Sequence, residues 1–114
     1  SAIGYETWIR MSTRPRDWHR DHDDRLQLTT GEMKYPICTT CYYPYVADNV
    51  KDGRLCFENG TIVLPKTNRM VFFGPDVYHN VEPFTGERIS ILLNPWNEPL
   101  CQTPCHDPWR RYMV

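Results

Sequence analysis

The feature of this chain that most constrains its fold is the density of residues that interrupt helices. Ten prolines and six glycines are spread through 114 residues. A proline inside a helix removes a backbone hydrogen-bond donor and clashes with the preceding turn, so long helices do not fit between these positions. The segments between them are short and rich in aromatic and β-branched side chains, which favour strands. The sequence therefore predicts an all-β fold.

Short apolar runs predict about eight strands in a single domain spanning residues 1–114. The predicted strands cover residues 3–11, 26–30, 35–46, 54–58, 61–64, 69–73, 77–81 and 88–93. Asp52-Gly53 and Asn59-Gly60 are hairpin-turn signals, and Asn94-Pro95 is expected to end the last strand. Short strands joined by turns leave two architectures open, a sandwich of the jelly-roll type and a small barrel.

Charge and apolar runs limit the classes of partner. Thirteen basic and fourteen acidic residues give a net charge of −1, whereas a nucleic-acid-binding protein usually carries a basic excess. No apolar run approaches the roughly 20 residues of a membrane-spanning helix, and no signal peptide is visible. The chain opens with Ser1 rather than methionine, which fits a fragment of a longer protein. We therefore expect a cytoplasmic protein with no nucleic-acid or membrane partner.

The five cysteines allow two interpretations. Cys38 and Cys41 form a C-x-x-C pair, and Cys101 and Cys105 precede His106, a pattern that a structural zinc ion could use. Against this, Cys38 and Cys41 lie in an aromatic and β-branched run, and residues three apart on a strand point to opposite faces. In a reducing compartment we expect free thiols instead.

Two histidines and one aspartate carry the strongest chemical signal. In an extended segment His19 and Asp21 project from the same face, so both can reach one metal ion. His79, brought over by the fold, would complete a set of two imidazoles and one carboxylate, which in non-haem Fe(II) oxygenases leaves coordination positions open. His22 and Asp24 form a second H-x-D pair and stay open as an alternative to the first pair, which we favour.

A second motif follows on the last predicted strand. Arg88 and Ser90 share one face of that strand, and a guanidinium binds a carboxylate through two parallel hydrogen bonds. Ile89, Ile91 and Leu93 fill the opposite face, while Leu92 shares the face of Arg88 and Ser90. A strand with apolar residues on both faces is typically central in its sheet. Arg88 is therefore expected to be partly buried and to need an anionic partner.

In combination these motifs resemble the catalytic core of Fe(II)/2-oxoglutarate-dependent dioxygenases of the prolyl-4-hydroxylase-like branch. The matching elements, in the expected order, are His19-x-Asp21, Asp52-Gly53-Arg54-Leu55-Cys56-Phe57, Phe72-Phe73-Gly74-Pro75 leading into His79, and Arg88-x-Ser90. They span most of the chain. Two departures are the near absence of residues before the first strand, where the family usually has helices, and Asp52-Gly53 where a double glycine is common.

The resemblance implies a fold, cofactors and an activity. The fold would be a double-stranded β-helix, which is a cupin-like jelly roll. His19, Asp21 and His79 would bind Fe(II), and Arg88 and Ser90 would bind the far carboxylate of the co-substrate 2-oxoglutarate. The activity would be oxidoreductase chemistry with dioxygen, hydroxylating a peptide side chain or a small metabolite.

Two other functions stay open at this point. One is a non-enzymatic, cupin-like metal-binding module with the same β fold. The other is a zinc-stapled interaction domain built on the cysteines and His106.

Overall fold

The structure is a computed structural model. The protein folds into short strands, most of which lie in two antiparallel sheets. The structure describes residues 2–11, 15–22 and 24–97, without the side chains of residues 24 and 25. Its elements are β1 Gly4–Arg10, β2 Arg16–His19, α1 Asp24–Thr30, β3 Thr39–Val46, β4 Lys51–Asp52, β5 Leu55–Phe57, β6 Ile62–Val63, β7 Arg69–Phe73, β8 His79–Val81, β9 Phe84–Thr85 and β10 Arg88–Trp96. The prediction of a mostly β fold is confirmed.

The strand pairing follows a nested pattern. Sheet 1 has the order β1-β10-β3-β7, sheet 2 has the order β2-β8-β5-β6, and β4 pairs with β9 in a separate ribbon. Setting that ribbon aside, the first strand pairs with the last, the second with the second-last and the third with the third-last. The β5–β6 hairpin closes the series. The chain therefore crosses between the two sheets at most of its connections.

Strand β10 is central in sheet 1, between β1 and β3, as its two apolar faces predict. Arg88, Ser90 and Asn94 are buried on one of its faces. The strand runs on through Asn94-Pro95 to Trp96, so the prediction that it ends at that pair is wrong. Beyond Leu93, β10 has no ladder partner in β3, so Pro95 interrupts no bond of that ladder.

The segment 26–30 is helical, so the strand predicted there is wrong. It forms most of helix α1, which the sequence analysis did not foresee. Its β-branched residues favoured a strand, but Thr30 donates its hydroxyl to the carbonyl of Leu26 (2.8 Å) inside the helix. The helix ends at Gly31, whose φ of 75° and bond to the carbonyl of Gln27 fit a glycine cap.

The two predicted hairpin turns have different outcomes. Asn59-Gly60 does connect the paired strands β5 and β6, and Gly60 has a φ of 90°. Asp52 and Gly53 also have positive φ values, of 64° and 70°. Their flanking strands, however, pair elsewhere, β4 with β9 and β5 with β8 and β6. This turn is therefore a corner between two sheets and the hairpin prediction is wrong.

Candidate metal centre

The facing ends of β2 and β8 bring the three predicted metal ligands together. His19 and His79 are directly opposite each other in the ladder between these strands. Asp21 follows two residues after His19, where the chain has left β2. One ligand atom from each of the three residues lies within 4.8 Å of the other two. His19 Nε2 is 3.4 Å from Asp21 Oδ1, and His79 Nε2 is 3.7 Å from Asp21 Oδ2.

Backbone hydrogen bonds orient both imidazole rings. Nδ1 of His19 donates to the carbonyl of Asp17 (2.6 Å), and Nδ1 of His79 donates to the carbonyl of Val77 (2.8 Å). A proton on Nδ1 leaves Nε2 with a free lone pair. In both rings this lone pair can bind a metal ion held between the three residues, as in most metal-binding histidines. His19 Nε2 and Asp21 Oδ2 are buried and have no hydrogen-bond partner among the described residues. Such unsatisfied atoms fit a metal ion, because it would bond to both.

The protonation equilibria of two ligands also favour metal binding. Burial lowers the pKa of His79, which keeps its imidazole neutral. Burial alone would raise the pKa of Asp21, but its contacts with His19 and His79 outweigh that effect, so this pKa lies below its ordinary value. A neutral imidazole and an ionised carboxylate are the forms that bind a metal.

Aromatic side chains support the two histidine-bearing strands. Phe73 meets the ring of His79 edge-on, with centroids 4.7 Å apart, and Phe57 packs in turn against Phe73. Trp18 and Tyr78 precede the two histidines in sequence and stack at 5.5 Å. The stack spans β2 and the start of β8, so it helps to hold the ligands opposite each other.

The alternative ligand pair is arranged differently. The ring of His22 donates from Nδ1 to the carbonyl of Arg20 (3.0 Å) and lines a neighbouring cavity. In the part of the chain that the structure describes, His22 does not belong to a metal-binding group. The side chain of Asp24 lies outside the described residues.

Arg88 and Ser90 line the same cavity as the three ligands, between the two sheets. This cavity measures about 30 Å³. Arg88 Nη1 donates to the carbonyl of Gly53 (2.7 Å), and its guanidinium lies 3.8 Å from the ring centroid of Phe84. Burial lowers the pKa of Arg88. Among the described residues no carboxylate pairs with this buried cation, so the guanidinium can receive an anion.

Several charged residues near this site were missed by the sequence analysis. Arg10 and Arg16 line the narrow cavity and also a second, larger cavity of about 100 Å³. Glu6 and Asn94 line the larger one and are almost fully buried. The signal was present in β1, where Glu6, Trp8 and Arg10 alternate with other residues, but alternation does not show which face is buried.

The three cysteines in the described ranges do not take part in this group of ligands. Cys38, Cys41 and Cys56 are free thiols. Cys101, Cys105 and His106, on which the zinc interpretation depends, lie outside the described residues. That interpretation stays a prediction.

Comparison of the chain with protein-family models, curated proteins and solved structures finds no match. Within the described residues, no helix has the length and apolar character needed to cross a membrane.

Proposed function

We propose that the protein is an Fe(II)- and 2-oxoglutarate-dependent dioxygenase that hydroxylates its substrate. The observation that carries the proposal is the presence of two complementary groups in one cavity. His19, Asp21 and His79 offer three metal ligands, and Arg88 offers a buried guanidinium. Two imidazoles and one carboxylate are the ligand set of non-haem Fe(II) oxygenases.

The strand order supports the finer assignment of a double-stranded β-helix. In such a jelly roll a long antiparallel ribbon winds into two facing four-stranded sheets. The nested pairing of first with last strands, closed by the β5–β6 hairpin, fits that ribbon. The site would then lie inside the roll, in the cavity lined by both sheets.

The ligand residues and the arginine would have separate roles. His19, Asp21 and His79 would hold Fe(II), which when bound supplies the activation of dioxygen. Arg88 would pair with the far carboxylate of 2-oxoglutarate through its planar fork, with Ser90 as a further donor. The chain's own share is to position the co-substrate and to exclude water.

The narrow cavity adjoins the larger one. Arg10, Arg16 and Leu92 line both this cavity and the larger one. These three side chains therefore lie between the two cavities.

The net reaction balances with two reactants besides the substrate. Dioxygen is the oxidant and 2-oxoglutarate the reductant. One oxygen atom goes to succinate, formed with carbon dioxide when the keto acid is decarboxylated, and the other becomes the hydroxyl group on the substrate carbon. The aspartate at position 21 fills the coordination position that a halide would need, which favours hydroxylation over halogenation. A cytoplasmic location stays part of the proposal.

The test is succinate formation from 2-oxoglutarate with Fe(II) under air, measured per mole of protein so that a single turnover is visible. We expect succinate from the parent and from His22→Ala, and none from His79→Ala, because only His79 belongs to the ligand group. A parent protein that binds iron and yields no succinate would favour the metal-binding module. Succinate from His79→Ala equal to that of the parent would contradict the proposed ligand set.

A further inference from the structure

The larger cavity has features that neither the iron nor the co-substrate uses. It measures about 100 Å³ and shares Asp21 with the proposed iron site, so a molecule inside it lies beside the ion. It also joins the cavity of Arg88 at Arg10, Arg16 and Leu92. A molecule to be oxidised therefore has a place next to the co-substrate.

One side of this cavity is cationic. Arg10 and Arg16 line it from β1 and β2. Burial and the neighbouring charges of Arg16 and Arg88 lower the pKa of Arg10 to about 10. The guanidinium of Arg16 makes no hydrogen bond or ion pair with another residue in the described ranges, so it can pair with a ligand.

Arg20 is a third cation at the wall of the cavity. Its Nε donates to the carbonyl of Asp76 (3.0 Å), and its guanidinium lies 4.8 Å from the ring centroid of Tyr78. These contacts fix the side chain while its terminal nitrogens can still bind an anion.

The charges that line the two cavities do not balance. Among the described residues the lining holds four arginines, Arg10, Arg16, Arg20 and Arg88, and two carboxylates, Glu6 and Asp21. The charges of a divalent ion and of dianionic 2-oxoglutarate would cancel each other. Two positive charges then remain on the described lining residues, of which Arg20 is exposed and Arg10 is buried, and unbalanced charge is costly where it is buried. An acid group on the substrate would reduce this cost.

The far end of the cavity offers acceptors rather than cations. Asn94 is 3% exposed, and its Oδ1 has no hydrogen-bond partner among the described residues. Glu6 is opposite Asn94 in the β1–β10 ladder, and Trp8 is opposite Leu92 between the two ends. The wall is therefore cationic at one end, apolar in the middle and accepting at the other end. A buried acceptor without a donor is unfavourable, so a ligand N–H or O–H fits there.

We propose that the larger cavity binds the substrate of the oxygenase, and that this substrate is a small amino or hydroxy acid. Its carboxylate pairs with Arg16 and Arg20, its carbon skeleton lies against Trp8, and its N–H or O–H donates to Asn94 Oδ1. The oxidation of this ligand rests on the proposed function, whereas its binding does not.

The test is calorimetric titration of anaerobic Fe(II)-loaded protein holding 2-oxoglutarate. The probes are the free proteinogenic amino acids and L-lactate, each compared with its primary amide, which keeps the shape and removes the charge. We expect at least one acid to bind about tenfold or more tightly than its amide, because it forms charged hydrogen bonds. Arg16→Gln should remove this preference, because it takes away one of the two cations proposed to pair with the carboxylate.

A matched control separates the site from general surface charge. Arg54→Gln removes the same charge at the surface, where Arg54 pairs with Glu82, and should leave the acid preference unchanged. Asn94→Leu should weaken the acid and its amide alike, because both use the acceptor.

Three results would overturn the inference. They are equal binding of acids and amides, a preference that survives Arg16→Gln, and no binding by any probe. Succinate formation without an acid preference would contradict this inference alone. An acid preference without succinate formation would contradict the proposed function alone.

Discussion

The two faces of sheet 1 differ in chemistry, because the buried inner face is unusually polar and the outer face exposes apolar side chains. Antiparallel sheets usually bury their apolar face and expose the polar one. Here the buried inner face carries polar side chains beside the apolar ones of Cys41, Tyr43 and Trp96; the polar ones are Glu6, Arg10, Thr39, Arg88, Ser90 and Asn94. The outer face carries exposed apolar side chains, which include Tyr5, Ile9, Met70 and Phe72.

The two faces of sheet 1 therefore have different roles, ligand binding on the inner face and little packing on the outer face. Buried polar groups cost free energy unless they have partners, and Asn94 Oδ1 has none among the described residues, so this part of the inner face is suited to bind a ligand. Phe72 and Ile9 on the outer face are 66% and 59% exposed. Little free energy of folding depends on them in this state, because burial is what makes an apolar side chain stabilising. Substitutions on the two faces should therefore have different consequences.

The largest expected effect is on metal binding at the inner end of β8. His79→Ala removes one of three ligands, so the affinity for Fe(II) should fall by about a hundredfold or more, beyond what the loss of a supporting residue costs. Phe72→Ala on the outer face should leave it unchanged. Metal content after anaerobic loading and desalting measures both. Equal iron content in His79→Ala and the parent would show that the inner face does not bind the metal through His79.

The next effect concerns the glycine that faces Arg88. Gly53→Ala places a Cβ 2.6 Å from Arg88 Nη1, at a φ of 70°. Strain at positive φ costs roughly 1–2 kcal/mol, and overpacking adds about 1–3 kcal/mol. Gly31→Ala is the matched control, because its φ is 75° and no atom lies within 4 Å of the new Cβ.

Urea unfolding of both glycine variants separates the strain at positive φ from the overpacking against Arg88. We expect a larger loss in the free energy of unfolding for Gly53→Ala than for Gly31→Ala. Only Gly53→Ala should also weaken 2-oxoglutarate binding, since it displaces Arg88. Equal losses in the two variants would show that the close approach to Arg88 contributes nothing.

Arg88→Lys tests the guanidinium fork with a smaller change. Lysine keeps the charge and loses the planar pair of donors, so 2-oxoglutarate binding should weaken by roughly 1.5–3 kcal/mol. That is about a tenfold or greater rise in the apparent dissociation constant. Iron affinity should stay at the parent value because Arg88 is not a ligand. An unchanged titration curve would remove Arg88 from the co-substrate site.

The smallest effects are expected on the outer face. Ile9→Thr and Phe72→Thr replace exposed apolar groups, so each should change the free energy of unfolding by no more than about 0.5 kcal/mol. Binding of iron and of 2-oxoglutarate should not change. A loss of several degrees in the thermal midpoint would show that this face is packed in solution.

Local patterns in the sequence predicted the parts of the fold that local rules control. Alternation along β10 placed Arg88 and Ser90 on one face, and Asn59-Gly60 predicted its hairpin, because period and turn chemistry act within a few residues. His19 and Asp21 were paired by the same rule. The meeting of these residues with His79 came from the resemblance, since no local pattern encodes a contact over such a sequence separation.

What the sequence did not reveal depends on long-range pairing. Asp52-Gly53 has hairpin geometry, but the partners of its flanking strands lie elsewhere in the chain. Arg10 and Arg16 enter the site only because β1 pairs with β10 and β2 pairs with β8. The polar character of the inner face of sheet 1 could not be predicted from alternation either, because alternation shows that two faces differ and not which one is buried.

The most direct test of the central claim is a 2-oxoglutarate titration of the anaerobic Fe(II) form, followed by its metal-to-ligand charge-transfer absorbance. This band requires iron and the keto acid to be bound to each other. We predict a saturable band for the parent, His22→Ala and Phe72→Ala, and no band for His79→Ala. A parent protein that holds Fe(II) and shows no band at any 2-oxoglutarate concentration would contradict the claim that the inner face binds both.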